Sequence, residues 1–320
     1  MIVVWRVTEV CNLACAFCAY DRRARRPRRN ADPQAIRDFG AVLAKLQQTS
    51  GDRVLVSWLG GEPLLWAPLA DLTRHFHEDL GLGISTTTNG TTLHLPQTRA
   101  HILAHYRELT VSVDALREAH DRLRGWPGGF SAIRAGVNAL VAERGDAPLK
   151  LRANVVLMRD TIAGFGALCE ELASWGINEI TFNQLGGRDR PEFYPANRLL
   201  LAQVETLREE LPDLTARLSL RGVRLAGGNH YLDRFAASAR GEAWPMEDCC
   251  PGERFLFIDE NGLAAPCSFT SEECGVPISE ITTPAALRVL PAEFARRRLA
   301  RRPAACRDCH STQVFAKFAA

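Results

Sequence analysis

Three cysteines stand close together near the N-terminus, at positions 11, 15 and 18. Thiolates are soft ligands that select iron–sulfur clusters or zinc. Structural zinc sites usually use four Cys or His ligands arranged as two pairs, whereas three thiolates on one short loop match three irons of a [4Fe–4S] cluster. The spacing Cys-x₃-Cys-x₂-Cys of Cys11, Cys15 and Cys18 therefore predicts a cluster whose fourth iron has no protein ligand, with structural zinc as the alternative.

A glycine-rich turn, Gly-Gly-Glu-Pro at residues 60–63, follows an apolar run. Glycine permits a close backbone approach that a Cβ atom would block. Together with the three-cysteine motif, this turn resembles the signature of radical S-adenosylmethionine (SAM) enzymes. The resemblance implies that the three thiols bind the catalytic cluster and that the open iron chelates the amino and carboxylate groups of SAM. It also implies a partial (β/α)₆ barrel with the active site at the C-terminal ends of the strands.

The same resemblance implies a set of SAM contacts at the ends of the strands. Phe17 matches the aromatic residue that the family places against adenine, and Glu62 matches an acceptor for the SAM amine. Arg124 matches a carboxylate clamp, although Ala115 replaces a glycine that is common in relatives. For Asn154 and Gln184, a structural hydrogen bond to the backbone is the alternative. The implied SAM-binding residues are Phe17, Gly60, Gly61, Glu62, Thr88, Asn89, Ser112, Asp114, Arg124, Asn154 and Gln184.

A second group of cysteines lies in the last quarter of the chain. A cysteine at position 249 or 250, followed by Gly262-x₄-Cys267 and a closing Cys-x₂-Cys pair, resembles the Twitch domain of radical SAM enzymes. The resemblance implies an auxiliary [4Fe–4S] cluster with four cysteine ligands, and a four-cysteine zinc ion is the alternative. The predicted ligands are Cys250, Cys267, Cys306 and Cys309.

The adjacent cysteines Cys249 and Cys250 are expected to have different roles. Neighbouring side chains in an extended segment point to opposite sides, so both are not expected to bind one cluster. We predict that Cys250 is the ligand and that Cys249 is a free, catalytic thiol, with the reverse assignment as the alternative. Cys169 is expected to fill space in the core. Cys274 is either inert or an alternate ligand.

The resemblance implies hydrogen abstraction from an unactivated C–H bond by a 5′-deoxyadenosyl radical. Hydrogen return from a thiol on the opposite face would make an epimerase, whereas electron loss to the auxiliary cluster would make a dehydrogenase. The layout most resembles the aminoglycoside-biosynthesis members, which include the epimerase of neomycin C. We therefore expect an aminosugar epimerase that uses Cys249. The alternatives are a dehydrogenase of an aminocyclitol or sugar alcohol, a peptide-modifying enzyme of ribosomal peptide (RiPP) pathways, and a non-catalytic cluster or zinc scaffold, which the intact glycine turn disfavours.

The expected substrate is small and cationic. The first motif begins at residue 11, which we expect to leave no room for a peptide-recognition domain before it. Because an aminoglycoside is polycationic, carboxylates should line its pocket. The candidates are Asp189, Glu192, Glu247 and Asp248. Six arginines between positions 22 and 29 form either a solvated loop or a dock for an acidic electron donor such as a flavodoxin or ferredoxin.

Composition limits the other classes of function. The chain has 39 Lys and Arg against 37 Asp and Glu, so its charge gives no indication of nucleic-acid binding. The N-terminus lacks the pattern of a signal peptide, and no apolar run reaches about 18 residues, so neither secretion nor a membrane span is predicted. Ten cysteines in clustered spacings then indicate metal ligands in a cytoplasmic protein rather than disulfides.

Six apolar runs rich in β-branched residues alternate with segments of helical periodicity up to about residue 185. This alternation predicts an α/β fold with a parallel sheet covered by helices. An Asn-Gly turn near residue 261 predicts a hairpin in the cysteine-rich part. The predicted strands are Ile2–Thr8, Val54–Leu59, Gly83–Thr88, Leu109–Asp114, Leu149–Leu157 and Glu179–Phe182.

The predicted organisation has three parts. Residues 1–195 form the partial barrel, residues 196–240 form a helical connection with its strongest break at Pro212, and residues 241–320 form the small Fe–S Twitch domain. Asp32 and Pro33 are expected to begin the first helix as cap and first turn, because a short polar side chain and a proline are both favoured there.

Overall fold

The computed structural model describes residues 1–247 and 249–312. Within them the chain forms one sheet of ten strands. The strands are β1 (Ile2–Thr8), β2 (Leu55–Gly60), β3 (Gly83–Thr88), β4 (Glu108–Ser112), β5 (Lys150–Leu157), β6 (Glu179–Gln184), β7 (Arg224–Ala226), β8 (Phe255–Ile258), β9 (Leu263–Ala265) and β10 (Val276–Pro277).

Helices follow most of the strands. The α-helices are α1 (Pro33–Ser50), α2 (Leu69–Arg74), α3 (Pro96–His105), α4 (Arg117–Arg124), α5 (Gly129–Glu143), α6 (Phe165–Ser174), α7 (Tyr194–Asn197), α8 (Leu201–Leu220), α9 (Asn229–Arg240), α10 (Ser271–Cys274), α11 (Pro284–Ala300) and α12 (Ala304–Arg307). Short 3₁₀ turns lie at Pro63–Leu65, Ile162–Gly164 and Ile278–Glu280, and a π-helical turn continues α2 over His75–Asp79. In the part of the chain that is described, no helix is long and apolar enough to cross a membrane.

The strand order is β10-β9-β8-β1-β2-β3-β4-β5-β6-β7. Neighbouring strands from β8 through β1 to β7 pair in parallel, and β9 and β10 pair antiparallel. The described sheet is not closed, because β7 and β10 remain as its two edges. The predicted α/β fold with an open, mostly parallel sheet is therefore confirmed.

The two faces of the sheet have different side chains because successive residues of a strand point to opposite sides. On the helix-covered face, Trp5 and Trp58 are in register on β1 and β2, and their rings lie 6.2 Å apart. Trp58 also packs 5.2 Å from Phe76 and donates its indole N–H to Thr73 Oγ1 at 3.0 Å. Val4, which precedes Trp5 on β1, lies on the opposite face and lines a cavity. It is in register with Ser57 on β2.

The first helix begins as predicted. The Asp32 side chain accepts from the Gln34 N–H at 2.9 Å, Pro33 occupies the first turn, and Gly51 ends the helix in the left-handed conformation with φ of 75°. Glycine tolerates this φ because it has no Cβ. The apolar stripe that predicted α1 is the buried face of the helix.

Pro212 does not interrupt the helix that contains it. It lies inside α8, and its side chain is exposed to solvent. The buried stripe of that helix continues on both sides of the proline. The prediction of a break at Pro212 is wrong: burial of the apolar stripe offsets the missing backbone N–H. The buried stripe consists of Val204, Leu207, Leu211, Leu214 and Leu218.

The C-terminal part of the chain is continuous with the sheet. Strand β8 pairs with β1, from Ile2 opposite Phe255 to Trp5 opposite Ile258. The predicted hairpin at residue 261 is formed by β8 and β9. The segment 196–240, predicted to be helical, also contributes β7, which extends the other edge of the sheet. The boundaries of the three predicted parts remain predictions.

Candidate active site

The loop that carries Cys11, Cys15 and Cys18 contains neither helix nor strand. Backbone N–H groups point at two of its sulfurs: Leu13 N lies 3.5 Å from Cys11 Sγ, and Tyr20 N lies 3.3 Å from Cys18 Sγ. Such hydrogen bonds favour a thiolate over a thiol and tune the potential of iron–sulfur clusters. The loop geometry therefore suits thiolate ligands.

The three thiols lie within electrostatic range of one another, and burial raises the pKa of each, that of Cys15 to about 12. A metal would displace these protons, because the ligand form of cysteine is the thiolate. Among the described residues, no three His, Cys, Asp or Glu side chains converge closely enough to hold a single metal ion. Thiolates of a cubane cluster bind different irons and need not converge on one point. The arrangement thus fits a cluster.

The glycine turn after β2 lies directly against the chain that enters the cysteine loop. Gly61 N donates to Thr8 O, and Glu62 N donates to Val10 O, both at 2.8 Å. A Cβ atom on Gly60 would lie 2.2 Å from Thr8 O, and one on Gly61 would lie 2.2 Å from Val10 O. The two glycines therefore allow the turn to pack closely against the protein's own backbone, at the carbonyls of Thr8 and Val10.

Glu62 connects this turn to the end of β3. Its buried carboxylate accepts from Thr88 Oγ1 at 2.7 Å and from the Asn89 N–H at 2.6 Å. Burial raises the pKa of Glu62 to about 7 despite these donors. Asn89 in turn donates to Asn12 Oδ1 at 2.9 Å and points its amide at Cys11 Sγ, 3.7 Å away. Glu62 thus fixes the end of β3 against the cysteine loop.

On the other side of the loop, Asp114 and Arg124 form a buried ion pair with Nε 2.7 Å from Oδ2. Asp114 also accepts from the Val156 N–H at 3.0 Å, which connects the pair to β5. The Arg124 guanidinium lies 5.4 Å from the centre of the Phe17 ring, and the Arg124 carbonyl accepts from Ala14 N at 3.3 Å. Phe17, Asp114 and Arg124, all predicted as SAM contacts, are therefore mutually packed around the cysteine loop.

The uncovered face of the sheet lines a cavity of ≈ 690 Å³. Hydroxyl and amide side chains recur along it on β2 to β6: Ser57, Ser85, Thr87, Thr110, Asn154, Thr181 and Asn183. Asn154 Oδ1 accepts from Thr181 and from Asn183, each at 2.9 Å, and Gln184 donates to Ser238 Oγ at 2.8 Å. Of the predicted SAM-binding residues, Asn154 and Gln184 line this cavity. Ser112 is in register with Asn154 at the end of β4, and the others lie in the cysteine loop or in the glycine turn, the end of β3 and the ion pair beside that loop.

One cysteine of the second group lines the cavity, and a carboxylate of the cavity wall acts on the first group. Cys267 lines it directly, as does Asp189, whose charge acts on the thiol of Cys18. Asp21, three residues beyond Cys18, is 3.2 Å from Arg190, so the loop after β6 is attached to the first cysteine loop.

The second group of thiols is arranged around Cys249. Cys249 is half-buried and lies within electrostatic range of Cys267, Cys306 and Cys309, and burial raises its pKa to about 11. Arg298 donates to Cys249 Sγ at 3.3 Å. Cys250 is exposed and has a left-handed φ of 44°. Neither Cys249 nor Cys250 lines the cavity, and the assignment of the ligand between these two cysteines remains a prediction.

The expected carboxylate lining is sparse. Asp189 lines the cavity, but Glu192 and Glu247 are exposed and pair with Arg190 and Arg302 instead. Asp248 lies outside the described residues. Among residues 1–247 and 249–312, the charged lining residues are five cations and three carboxylates: Lys150, Arg152, Arg188, Arg224 and Arg234 against Glu108, Glu179 and Asp189. A polycationic substrate does not match this surplus of positive charge.

Comparison with known proteins completes the assignment of the family. A family model described as "Radical SAM superfamily" matches residues 5–172, which is more than half of the 320 residues. The chain belongs to the radical SAM superfamily. As a radical SAM enzyme it uses SAM with a [4Fe–4S] cluster, and the thiols and hydrogen-bond donors around the first cysteine loop fit such a cluster.

Individual relatives are distant. An AdoMet-dependent heme synthase of Oleidesulfovibrio alaskensis is 25% identical over 296 residues, which cover 86% of this chain and 71% of the relative. The mycofactocin maturase MftC of Mycolicibacterium smegmatis is 25% identical over 274 residues, covering 83% of this chain and 64% of MftC.

Solved structures share the fold of this radical SAM enzyme. Streptococcus suis SuiB bound to SAM superposes with a TM-score of 0.67 at 19% identity, over 97% of this chain and 72% of SuiB. Native anSMEcpe with bound AdoMet gives a TM-score of 0.66 at 17% identity, over 97% of this chain and 88% of that structure. At these identities the likeness shows a shared fold.

Two features of this enzyme could not be predicted from the sequence: the hydrogen bonds inside the arginine-rich loop, and the position of Arg234. The arginine-rich loop is partly self-contained, since Arg23 bonds to Asp21 and Arg28 donates to the carbonyls of Ala19 and Asp21. The hydrogen bond from Arg23 lowers the pKa of Asp21 to about 2. Arg234 lines the cavity and is nearly fully buried. No motif in the sequence indicates this, because Arg234 is a charged residue that interrupts an apolar helix face.

The glycine turn yields a stability prediction. Gly61→Ala should lower the free energy of unfolding by about 1–3 kcal/mol, because its Cβ meets the Val10 carbonyl, which can move only with the cysteine loop. It should also reduce bound iron. Chemical denaturation of anaerobically prepared protein measures the first effect and iron analysis the second. The control is Gly166→Ala on α6, where nothing lies within 4 Å, and which should stabilise the enzyme by up to about 1 kcal/mol. Equal stability and iron in both variants would contradict the argument.

His120 yields a prediction of pH dependence. Its buried Nδ1 accepts from the Asp114 N–H at 3.2 Å, and burial lowers the pKa of His120 to about 4. Between pH 6.5 and 4 the unfolded chain therefore binds more protons than the folded enzyme, so stability falls on acidification. At pH 5.5 this loss is about 1 kcal/mol relative to neutral pH, or a few degrees in Tm.

The comparison is between wild type and His120→Gln, with exposed His94→Gln as the control. His120→Gln should lose less Tm between pH 7.5 and 5.5 than wild type and His94→Gln, which should behave alike. Identical losses in all three proteins would show that His120 does not titrate as its burial requires.

Proposed function

We propose that this radical SAM enzyme oxidises a peptide, in the manner of the RiPP-modifying branch of the superfamily, and that the peptide enters the ≈ 690 Å³ cavity. The observation that carries the proposal is the position of this cavity between the two groups of cysteines. Asp189 at the cavity lies in electrostatic range of Cys18 of the first group, and Cys267 of the second group forms part of the wall.

The wall of the cavity suits a peptide. Hydroxyl and amide groups on β2 to β6 can both donate and accept, as backbone amides require. Asn154, Thr181 and Asn183 already form one hydrogen-bonded group there. A polycationic aminosugar would instead require a surplus of carboxylates.

The support from relatives agrees with this preference. MftC is named as a maturase of mycofactocin, and a SuiB structure is described as bound to its precursor peptide SuiA. A heme synthase matches this chain at the same level of sequence identity as MftC, so a carboxylate-bearing tetrapyrrole is the competing substrate class. The aminosugar epimerase loses its support, because the cavity is cationic and neither adjacent cysteine faces it.

When the cluster and SAM are bound, the family chemistry cleaves SAM and removes one hydrogen atom from the substrate. The protein's own residues position these partners. Glu62 and Asn89 hold one flank of the cysteine loop, and Asp114 and Arg124 hold the other, so the loop keeps a fixed relation to the cavity. Thr181 and Asn183 orient the Asn154 amide toward the interior.

The test is a substrate competition under reducing, oxygen-free conditions. The reconstituted enzyme is incubated with SAM and synthetic peptides encoded by short reading frames beside its gene, and separately with Fe-coproporphyrin III or neomycin C. We expect one peptide to lose hydrogen as 5′-deoxyadenosine accumulates, since oxidation consumes SAM. Conversion of Fe-coproporphyrin III or epimerisation of neomycin C, with every peptide unchanged, would overturn the proposal.

We also propose that Cys249, Cys267, Cys306 and Cys309 bind the auxiliary cluster. Cys249 is supported by its electrostatic proximity to the other three thiols and by the Arg298 guanidinium at 3.3 Å, which favours a thiolate. Cys267 Sγ lies 3.4 Å from Thr270 Oγ1, a further polar neighbour. Cys250, one residue further on, has an exposed side chain and a left-handed φ. A second cluster would accept the electron that the substrate radical loses, together with a proton, after hydrogen abstraction.

Iron content distinguishes the two adjacent cysteines without any assay of activity. Wild type should bind about eight irons, as expected for two [4Fe–4S] clusters. Cys249→Ala should lose up to about half of the iron and the matching signal in electron paramagnetic resonance. Cys250→Ala, the matched control one residue away, should keep both. Loss of iron from Cys250→Ala alone would restore the assignment predicted from the sequence. Zinc in place of the second half of the iron would refute the auxiliary cluster.

A further inference from the structure

Arg234 is a nearly fully buried cation at the wall of the cavity. It lies on α9, is 2% exposed, and forms part of the lining between Tyr231 and the residues after Cys309. An arginine remains charged when buried, so it requires compensation from anions or hydrogen-bond acceptors. Its surroundings therefore indicate what kind of ligand would complete them.

The protein compensates Arg234 only in part. Nη2 donates to Ser238 Oγ at 2.7 Å and lies 3.3 Å from His310 Nε2, and Nη1 lies 2.7 Å from Asp308 Oδ1. Within residues 1–247 and 249–312, Nε has no hydrogen-bond partner, and the Asp308 contact is not aligned as a hydrogen bond. Asp308 is also shared, since it accepts from the Trp244 N–H at 3.0 Å.

A second guanidinium lies at the same part of the wall. Arg188 lines the cavity beside the loop after β6, and its charge, like that of Arg234, acts on His310. Its described contacts are the Phe269 ring, 5.1 Å away, and the Phe269 carbonyl, at 3.4 Å, neither of which neutralises its charge. Asp189 is the carboxylate that lines the cavity nearby.

We infer that Arg234, assisted by Arg188, binds a carboxylate of the substrate and so selects a substrate that is anionic at this end. For a peptide substrate, this inference deepens the proposed function, on which it rests, by assigning the C-terminal carboxylate to Arg234. A carboxylate accepts two parallel hydrogen bonds from a guanidinium, a geometry that lysine cannot reproduce. The bound end of the peptide would then lie beside Cys267, and the preceding residues would extend along the hydroxyl-lined strands toward the first cysteine loop.

The experiment uses three short probes on the iron-loaded enzyme with SAM present. The probes are N-acetyl-Ala-Ala-Phe with a free C-terminal carboxylate, its C-terminal amide, and the amide of N-acetyl-Ala-Asp-Phe. Binding is measured by ligand-observed NMR. We expect the free acid to bind about tenfold more tightly than its amide, as for loss of one charge-assisted interaction. Tight binding of the Asp-containing amide instead would assign a side-chain carboxylate and overturn the C-terminal assignment.

Variants connect the preference to Arg234. Arg234→Gln should abolish the preference for the acid, and Arg234→Lys should restore it only in part. Because Arg234 is buried, exposed Arg188→Gln provides a variant that does not depend on refolding of the core, and it should weaken acid binding a few-fold. Arg240→Gln, on the same helix but paired with exposed Glu242, is the control and should match wild type. Equal binding of acid and amide to wild type would overturn the inference.

The two proposals can fail separately. If peptides are modified but the probes show no preference for a carboxylate, the function stands and the role of Arg234 is refuted. If the preference depends on Arg234 but the enzyme converts only Fe-coproporphyrin III, the carboxylate site stands and the peptide function is refuted.

Discussion

The site depends on hydrogen bonds that hold a loop with no regular structure of its own. The cysteine loop is fixed from one side by the backbone of the glycine turn and by Asn89, and from the other by the carbonyl of Arg124. Each of these groups lies just beyond the C-terminal end of a strand or at the end of a helix. The parallel sheet therefore determines the shape of the loop, because it brings these ends to one edge.

Buried carboxylates stabilise this arrangement, although burying a charged group costs desolvation free energy. Glu62 accepts hydrogen bonds from residues 64, 88 and 89. Asp114 accepts from Arg124 and from the N–H of Val156 on β5. Removing one partner would leave the other buried and uncompensated, which is more damaging than replacing both. The same principle operates at the far end of the cavity, where Glu179 contacts Lys150 at 2.9 Å and also pairs with Arg152. Ion pairs therefore line the cavity at the N-terminal ends of β5 and β6.

Much of this structure could be predicted from the sequence because its determinants are local. Periodicity gave the strands β1 to β6, short polar residues gave the cap of α1, and spacing gave the two groups of cysteines. The assignment at Cys249 and Cys250 depended on an extended backbone, but Cys250 adopts a left-handed φ, so the alternation of side chains does not apply. The position of Arg234 depends on how α9 packs against β6 and the C-terminal residues. No local pattern contains that information.

The pairing of β8 with β1 joins the two ends of the chain in one sheet. During synthesis, β1 emerges before β8, so one of its two edges obtains its native partner only after residue 258. Until then that edge presents unpaired backbone groups beside a reactive thiol loop, a combination that favours pairing with other chains. A truncated enzyme that ends before Phe255 would retain the complete cysteine loop and a permanently open strand next to it. The last quarter of the chain therefore covers an edge of β1 that would otherwise be open to pairing with other chains.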